Sequence, residues 1–274
     1  MKDKLAIIGA GNMASSIVAG VLSTRLHTAD DLLVTNRSHG KLELLAERWG
    51  VKTSYDNHQA AHWADTIIVA VKPIDMQEAL HSLGGCLEGK LVISVAAGVA
   101  ISQVRAWLGD AAQPVVRVMP NTPAQVGEGM SAWVASDGVS EEQRERVRSL
   151  LSALGREIEM SDETYLDQAT AISGSGPAYL FYFAEMLIES ARGIGLSDAE
   201  AHELVLQTIW GAAKMLREGA GAPGALRHAV TSKGGTTEAA LAEFARGGMA
   251  QALDSGVQAA YRRGGEIRRQ LSDA

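Results

Sequence analysis

The stretch that most restricts the fold of this chain lies at its start. Lys4-Leu5-Ala6-Ile7-Ile8 is an apolar run, Gly9-Ala10-Gly11-Asn12-Met13-Ala14 follows directly, and Ile17, Val18, Val21 and Leu22 then recur on one helical face. Strand, glycine turn and helix at the spacing Gly-x-Gly-x-x-Ala form the opening unit of a dinucleotide-binding fold. Gly9 permits the tight turn, Gly11 lets backbone approach a pyrophosphate, and Ala14 allows the helix to pack close to the strand. The N–H groups of the first helical turn then face the phosphates. Ordinary tight βα turns share parts of this spacing, but the strand before it and the helix after it favour the nucleotide reading.

The chain continues in the same style. Residues 31–35, 66–71, 90–95 and 114–119 are runs rich in Val, Ile and Leu, separated by helix-length segments at 41–49, 74–83 and 102–108. Such runs fit strands of a parallel sheet buried on both faces. Residues 130–135 and 156–160 read as edge strands around a helix at 141–154, which Ser140-Glu141-Glu142-Gln143 opens as a capping box. From 161 onward no period-2 strand is convincing. Helical patterns run over 162–172, 177–193, 198–217, 223–229, 236–246 and 249–271, with a second capping box at Ser197-Asp198-Ala199-Glu200. The expected architecture is α/β: a Rossmann-type doubly wound domain over 1–160, then an all-helical domain over 161–274.

Composition narrows the function classes. A net charge of −7 opposes general nucleic-acid binding, and the arginines at 262, 263, 268 and 269 read as a solvated helix face or subunit contact. Cys86 is the only cysteine, which excludes an intrachain disulfide and a multi-cysteine metal site and suits a reducing cytoplasm. The first strand begins at residue 4, leaving no space for a leader, and no apolar stretch reaches the roughly 20 residues of a membrane span. A cytoplasmic protein with no nucleic-acid or membrane partner is expected. His58 and His62 have metal-compatible spacing but no evident third ligand, so no metal site is expected.

Cofactor choice is written after the second strand. An acid there bonds the ribose 2′-hydroxyl of NAD, whereas an arginine accommodates the 2′-phosphate of NADP. This chain has Thr35-Asn36-Arg37-Ser38, one guanidinium and no acid, which favours NADPH, with NADH as the weaker donor. Lys72, ahead of Pro73, reads equally as a phosphate or ribose contact and as a surface lysine held extended before proline. The small residues 96–98 would let a cofactor pass close to the backbone.

Three further segments are rich in turn residues and hydroxyls: Met119-Pro120-Asn121-Thr122-Pro123, Ser173-Gly174-Ser175-Gly176-Pro177, and Thr231-Ser232-Lys233-Gly234-Gly235-Thr236-Thr237-Glu238. In the third, a glycine pair before a helix start makes a nest of backbone N–H groups, a natural carboxylate site. These segments, with the Gly-x-Gly-Asn-Met start, Ala70-Val71-Lys72-Pro73 and Ala96-Ala97-Gly98, closely resemble the pyrroline-5-carboxylate reductase family over essentially the whole chain.

That resemblance implies hydride transfer from NADPH to the C=N carbon of Δ1-pyrroline-5-carboxylate, giving L-proline. It implies that Ser232, Gly234, Gly235 and Thr236 hold the substrate carboxylate, that Thr237 offers its hydroxyl to the ring nitrogen, and that Ser175 also faces substrate. It places Gly9, Gly11, Asn12, Met13, Thr35, Asn36, Arg37, Ser38, Asn57, Val71, Lys72, Pro73 and Ala97 along the cofactor, with Asn121 near the nicotinamide. It also implies dimers through the helical domain, assembled in some members into decamers. Two positions depart from the family: Lys233 stands where members often have proline, and Ala220 where they often have an acid, so no catalytic carboxylate is assigned. A threonine hydroxyl is a poor acid, so Thr237 orients the imine rather than protonating it. Two alternatives stand beside this reading. A reductase of the hydroxyacid-dehydrogenase type would show a lysine on the helix after 173–177, which Ala178-Tyr179-Leu180-Phe181 lacks. A non-catalytic dinucleotide-binding regulator would have no use for the nest at 232–237.

Overall fold

A computed structural model describes residues 3–272. Its centre is one eight-stranded sheet, with strands β1 Leu5–Ile8, β2 Leu32–Thr35, β3 Lys52–Ser54, β4 Thr66–Val69, β5 Leu91–Ser94, β6 Val115–Met119, β7 Gly129–Ala135 and β8 Gly155–Glu159 in the order β3-β2-β1-β4-β5-β6-β7-β8. Neighbours from β3 to β6 are parallel, β7 runs antiparallel to β6, and β8 runs parallel to β7. In register, Ile7 of β1 faces Val34 on one side and Ile68 on the other. The order reverses beside β1, the switch point at which doubly wound sheets bind ligands.

Strands β1, β2, β4 and β5 are buried at every residue, because helices cover both faces. Leu5 and Ile7 pack with α1 Asn12–Ser23, α2 His39–Trp49 and α6 Glu141–Ser152 through Val18, Val21, Leu42, Leu45, Val147 and Leu150. Ala6 and Ile8 face the opposite layer: α3 Asn57–Trp63, α4 Met76–His81, α5 Ile101–Leu108 and α7 Tyr165–Ala169, through Ala60, Leu80, Val104 and Leu166. The α/β architecture is as the sequence predicts. Two elements add to it, β3 and the helix α3 that carries the exposed His58 and His62. Of the two expected edge strands, β8 is at the edge and β7 is interior, with Trp133 fully buried. Both capping boxes form, Ser140 accepting from the Gln143 N–H and Ser197 from the Glu200 N–H.

After α7 the chain winds one wide turn over Thr170–Gly174, closed by the Ser175 N–H donating 2.8 Å to the Thr170 carbonyl five residues back. The interruption expected at 173–177 is this π turn, followed by α8 Gly176–Gly193. Then come α9 Asp198–Arg217, α10 Pro223–Ala229, α11 Thr236–Arg246 and α12 Met249–Ser272.

Contacts divide the chain into two compact units, and the division differs from the expected boundary at 160/161. Residues up to Ser175 and from Ala260 onward form one unit, and Gly176–Ala259 form the other. The reason is a charged cluster on the α3–α5 face. Arg117, buried on β6, donates 2.8 Å to Glu163 and lies 3.8 Å from Asp167, which pairs in turn with Arg268 of α12 at 3.0 Å. Gln103 donates 2.5 Å to the Leu271 carbonyl, and Ile267 packs over Gly98. Helix α7 and the end of α12 are thereby fastened to the sheet.

The second unit has a small core of its own, Ile188, Ala201 and Val205. It leaves large apolar side chains in the open: Leu180, Phe181, Tyr182, Trp210 and Phe244 are each about half exposed or more. Among the described residues no helix is long and apolar enough to cross a membrane, and no group of three or more His, Cys, Asp or Glu is arranged to hold a metal ion.

Candidate active site

The glycine turn after β1 sits where the sequence predicts. Gly9 adopts φ +107°, and a Cβ there would come within 2.7 Å of the Ala70 carbonyl oxygen, so both backbone conformation and space require glycine. A Cβ on Gly11 would meet nothing within 4 Å, so this residue borders open space at the start of α1. No side chain caps α1, and its first N–H groups stay available to a ligand. Ala14 is fully buried, as close helix–strand packing requires.

A cavity of about 440 Å³ opens over this turn, lined by Gly9, Gly11, Asn36, Arg37, Ser38, Asn57, Val71 and Lys72 among the sequence-predicted residues. The remaining predicted cofactor residues are placed around it. Asn12 lines a neighbouring groove, Met13 and Ala97 are half-buried, and Pro73 opens the short turn Pro73–Asp75. Thr35 is buried, and its hydroxyl donates 2.6 Å to Asn57 Oδ1, whose own amide reaches Ser82. Thr35 thus fixes the side chain of Asn57, which lines the cavity.

Arg37 is not poised alone for a phosphate. One terminal nitrogen donates 2.6 Å to Asp75 and the other 3.2 Å to Glu78, and the Asp75 hydrogen bond raises the arginine pKa above its ordinary value. Asn36 meanwhile donates 2.7 Å to Ser38 Oγ. Sequence reasoning does not name Lys41, Asp75, Glu78 or Ser82, which also line the cavity. Asp75 and Glu78 lie 38 and 41 residues beyond Arg37 in the chain. The one local signal is the helical stretch beginning behind Lys72-Pro73, in which Asp75 closes the opening turn and Glu78 lies on α4.

Asn121 is a buried clamp. Its amide donates 3.0 Å to the Ser173 carbonyl and its oxygen accepts 2.8 Å from the Met130 N–H, joining the start of β7 to the π turn. Ser175 is half-buried at the end of that turn, and Met119 packs on Gly174.

The second glycine turn lies in the other compact unit. Gly234 has φ +72°, Gly235 caps the N-terminus of α11, and the Gly235 N–H donates 3.0 Å to the Ser232 carbonyl. The Gly234 N–H donates 2.6 Å to the carboxylate of Glu238. Ser232, Lys233, Gly234 and Thr236 are exposed, and Gly235 and Thr237 are half-buried. The turn therefore holds a carboxylate, here one of its own chain.

Known proteins match this chain over nearly its whole length. The chain is 39% identical to a pyrroline-5-carboxylate reductase of Corynebacterium melassecola over 267 residues, covering 96% of this chain and 98% of that one. It is 39% identical to the Haemophilus influenzae enzyme of the same name, covering 97% and 98%. The chain belongs to the pyrroline-5-carboxylate reductase family. A family model described as pyrroline-5-carboxylate reductase dimerisation matches residues 163–267, and one described as NADP oxidoreductase, coenzyme F420-dependent, matches residues 4–98. Among solved structures, a Coxiella burnetii pyrroline-5-carboxylate reductase superposes with a TM-score of 0.91 at 38% identity, covering 97% of this chain and 99% of that one. A Plasmodium falciparum pyrroline carboxylate reductase, solved with NADP bound, gives 0.88 at 29% identity and covers 98% and 99%. As a member of this family the chain is an NADP-binding oxidoreductase of proline synthesis, and its dimerisation region implies self-association.

Proposed function

We propose that the chain reduces Δ1-pyrroline-5-carboxylate to L-proline, with NADPH as the preferred donor, NADH as a weaker one, and the residues named from the sequence as its site. The observation that carries the substrate side is the hydrogen bond from the Gly234 N–H to the Glu238 carboxylate. A turn that already holds a carboxylate can hold that of the substrate in its place, through the N–H groups of Gly234 and Thr236 and the Ser232 hydroxyl. Gly235 is assigned to the same site as the residue whose N–H closes the turn on the Ser232 carbonyl. Lys233 adds positive charge beside it. Ser175 is assigned to the substrate as well.

The residues around the first turn fit a phosphorylated dinucleotide. Arg37, Lys41 and Lys72 bring three cations to the cavity, Gly9 and Gly11 bare the backbone, and the uncapped start of α1 supplies N–H donors. Asn12, Met13, Thr35, Asn36, Arg37, Ser38, Asn57, Val71, Lys72, Pro73, Ala97 and Asn121 would hold the cofactor. When bound, it supplies a hydride to the imine carbon. A protonated cyclic imine is already electrophilic, so the chain's task is to orient it, and Thr237 does this by hydrogen bonding at the ring nitrogen. The first compact unit carries the cofactor functions and Gly176–Ala259 the substrate turn, and the helical region self-associates as a dimer that can build a decamer. A cytoplasmic setting accords with the single, buried Cys86.

The test is NADPH absorbance with purified protein and Δ1-pyrroline-5-carboxylate. Oxidation matched by proline formation is expected, and oxidation no faster than background across several pH values would overturn the proposal.

A further inference from the structure

The acids facing Arg37 have a consequence for cofactor choice. A 2′-phosphate is recognised best by both terminal nitrogens of a guanidinium acting together. Both are committed here, one to Asp75 at 2.6 Å and the other to Glu78 at 3.2 Å. Each acid lines the same cavity as Arg37 and the glycine turn. Each terminal nitrogen keeps a second N–H, so a phosphate dianion can still reach Arg37, but it meets a cation already neutralised and oriented by two carboxylates and then lies beside their negative charges.

We propose that Asp75 and Glu78 are specificity-determining residues that hold Arg37 in competition with the 2′-phosphate and so narrow the preference for NADPH over NADH. The inference rests on the reading of Arg37 as the 2′-phosphate ligand. Both ion pairs are exposed enough to exchange: the Arg37 side chain is 70% exposed, Glu78 76% and Asp75 28%. Pairs of this kind are weak, so a phosphate can displace them while losing part of its binding energy. An unphosphorylated ribose makes no claim on Arg37 and loses nothing. Two lysines, Lys41 and Lys72, also line the cavity, and neither is substituted in the test below. Asp75 makes no side-chain cap to α4, so its carboxylate is not needed for the helix it precedes.

The test is equilibrium binding of NADP+ and of NAD+, by isothermal titration, to wild type, Asp75→Asn, Glu78→Gln and the double variant, with melting temperatures recorded as a check on folding. The double variant is expected to bind NADP+ about three- to tenfold more tightly and NAD+ within about twofold of wild type, as release of two exposed ion pairs predicts. In an Arg37→Ala background the same substitutions should raise the NADP+/NAD+ ratio less than in wild type, because only the direct repulsion between the acids and the 2′-phosphate remains to be relieved; an equal rise would overturn the role given to Arg37. Unaltered or weakened NADP+ binding in the double variant would overturn the inference, as would equal tightening of both cofactors. If Arg37→Ala alone leaves the preference for NADP+ intact, the underlying reading of Arg37 fails instead, and that result is distinct from the others.

Discussion

The glycine turns at Gly9 and at Gly234–Gly235 each precede a helix N-terminus, and they are embedded to very different depths. The turn at Gly9 is wedged against β4, with Ala70 where a Cβ would go and fully buried Ala14 one helical turn on. The turn at 232–237 stands largely in the open, and Gly235 meets only Ser232 of its own loop. The same contrast holds for their compact units. The first buries strands on both faces, whereas the second has a three-residue core and exposed aromatic residues. A cofactor site common to many dehydrogenases can be built into a self-sufficient sheet. On the proposed reading, the turn specific to one small acid is carried on helices of the dimerisation region, which leave large apolar side chains exposed.

Gly9→Ala should separate the two regions most strongly. The added methyl meets backbone at a φ that side chains avoid, which predicts a loss of about 2–5 kcal/mol in denaturant unfolding together with loss of NADP+ binding. An equally stable variant would mean that the turn is looser than its contacts indicate. Phe181→Glu should leave the first unit folded and weaken self-association by about 2–4 kcal/mol if Phe181 is an anchor of the interface, seen as a shift toward monomer in sedimentation. An unchanged oligomer would show that this exposed face is not the one used.

Thr237→Ala is expected to lower kcat/KM by about ten- to a hundredfold, the worth of a lost hydrogen bond of roughly 1.4–3 kcal/mol. Full activity would remove Thr237 from the mechanism. The smallest effect should come from Ser197→Ala, which removes the cap of α9 at a cost of about 1 kcal/mol. The Ser197 hydrogen bonds hold the Glu200 carboxyl below its ordinary pKa. Its contribution to stability is therefore present above the carboxylate's unfolded pKa and is lost as pH falls through the lowered folded value. Ser197→Ala should flatten that part of the stability–pH curve, and an unaltered curve would place the acid sensitivity elsewhere.

The sheet was readable because strands such as Thr66–Val69 are buried on both sides and must be apolar throughout. Lys52–Ser54 was not, since a polar edge strand of three residues carries no such pattern. Capping boxes were readable because donor and acceptor lie three residues apart. The return of α12 to the first unit was hidden, because it depends on Asp167 meeting Arg268 across a hundred residues of helix. At the site, glycine spacing announced both turns, and Arg37 announced a cation. That Asp75 and Glu78 would hold that cation follows only from the topology that brings α4 beside the end of β2. The break at 173–177 was evident from Ser-Gly-Ser-Gly-Pro, but its form as a wide helical turn was not.

The central claim is that the buried turn holds the donor and the exposed turn reads the substrate, and Gly235→Ala tests it most directly. A Cβ there would press on Ser232 Oγ at 2.5 Å and on the Ser232 carbonyl at 3.0 Å, disturbing the nest without touching the first unit's glycine turn. Measured together, KM for Δ1-pyrroline-5-carboxylate should rise about ten- to a hundredfold, as expected for lost hydrogen bonds to a carboxylate, while Kd for NADP+ stays within about twofold. A rise in the NADP+ Kd in step with KM, or an unchanged KM, would contradict it.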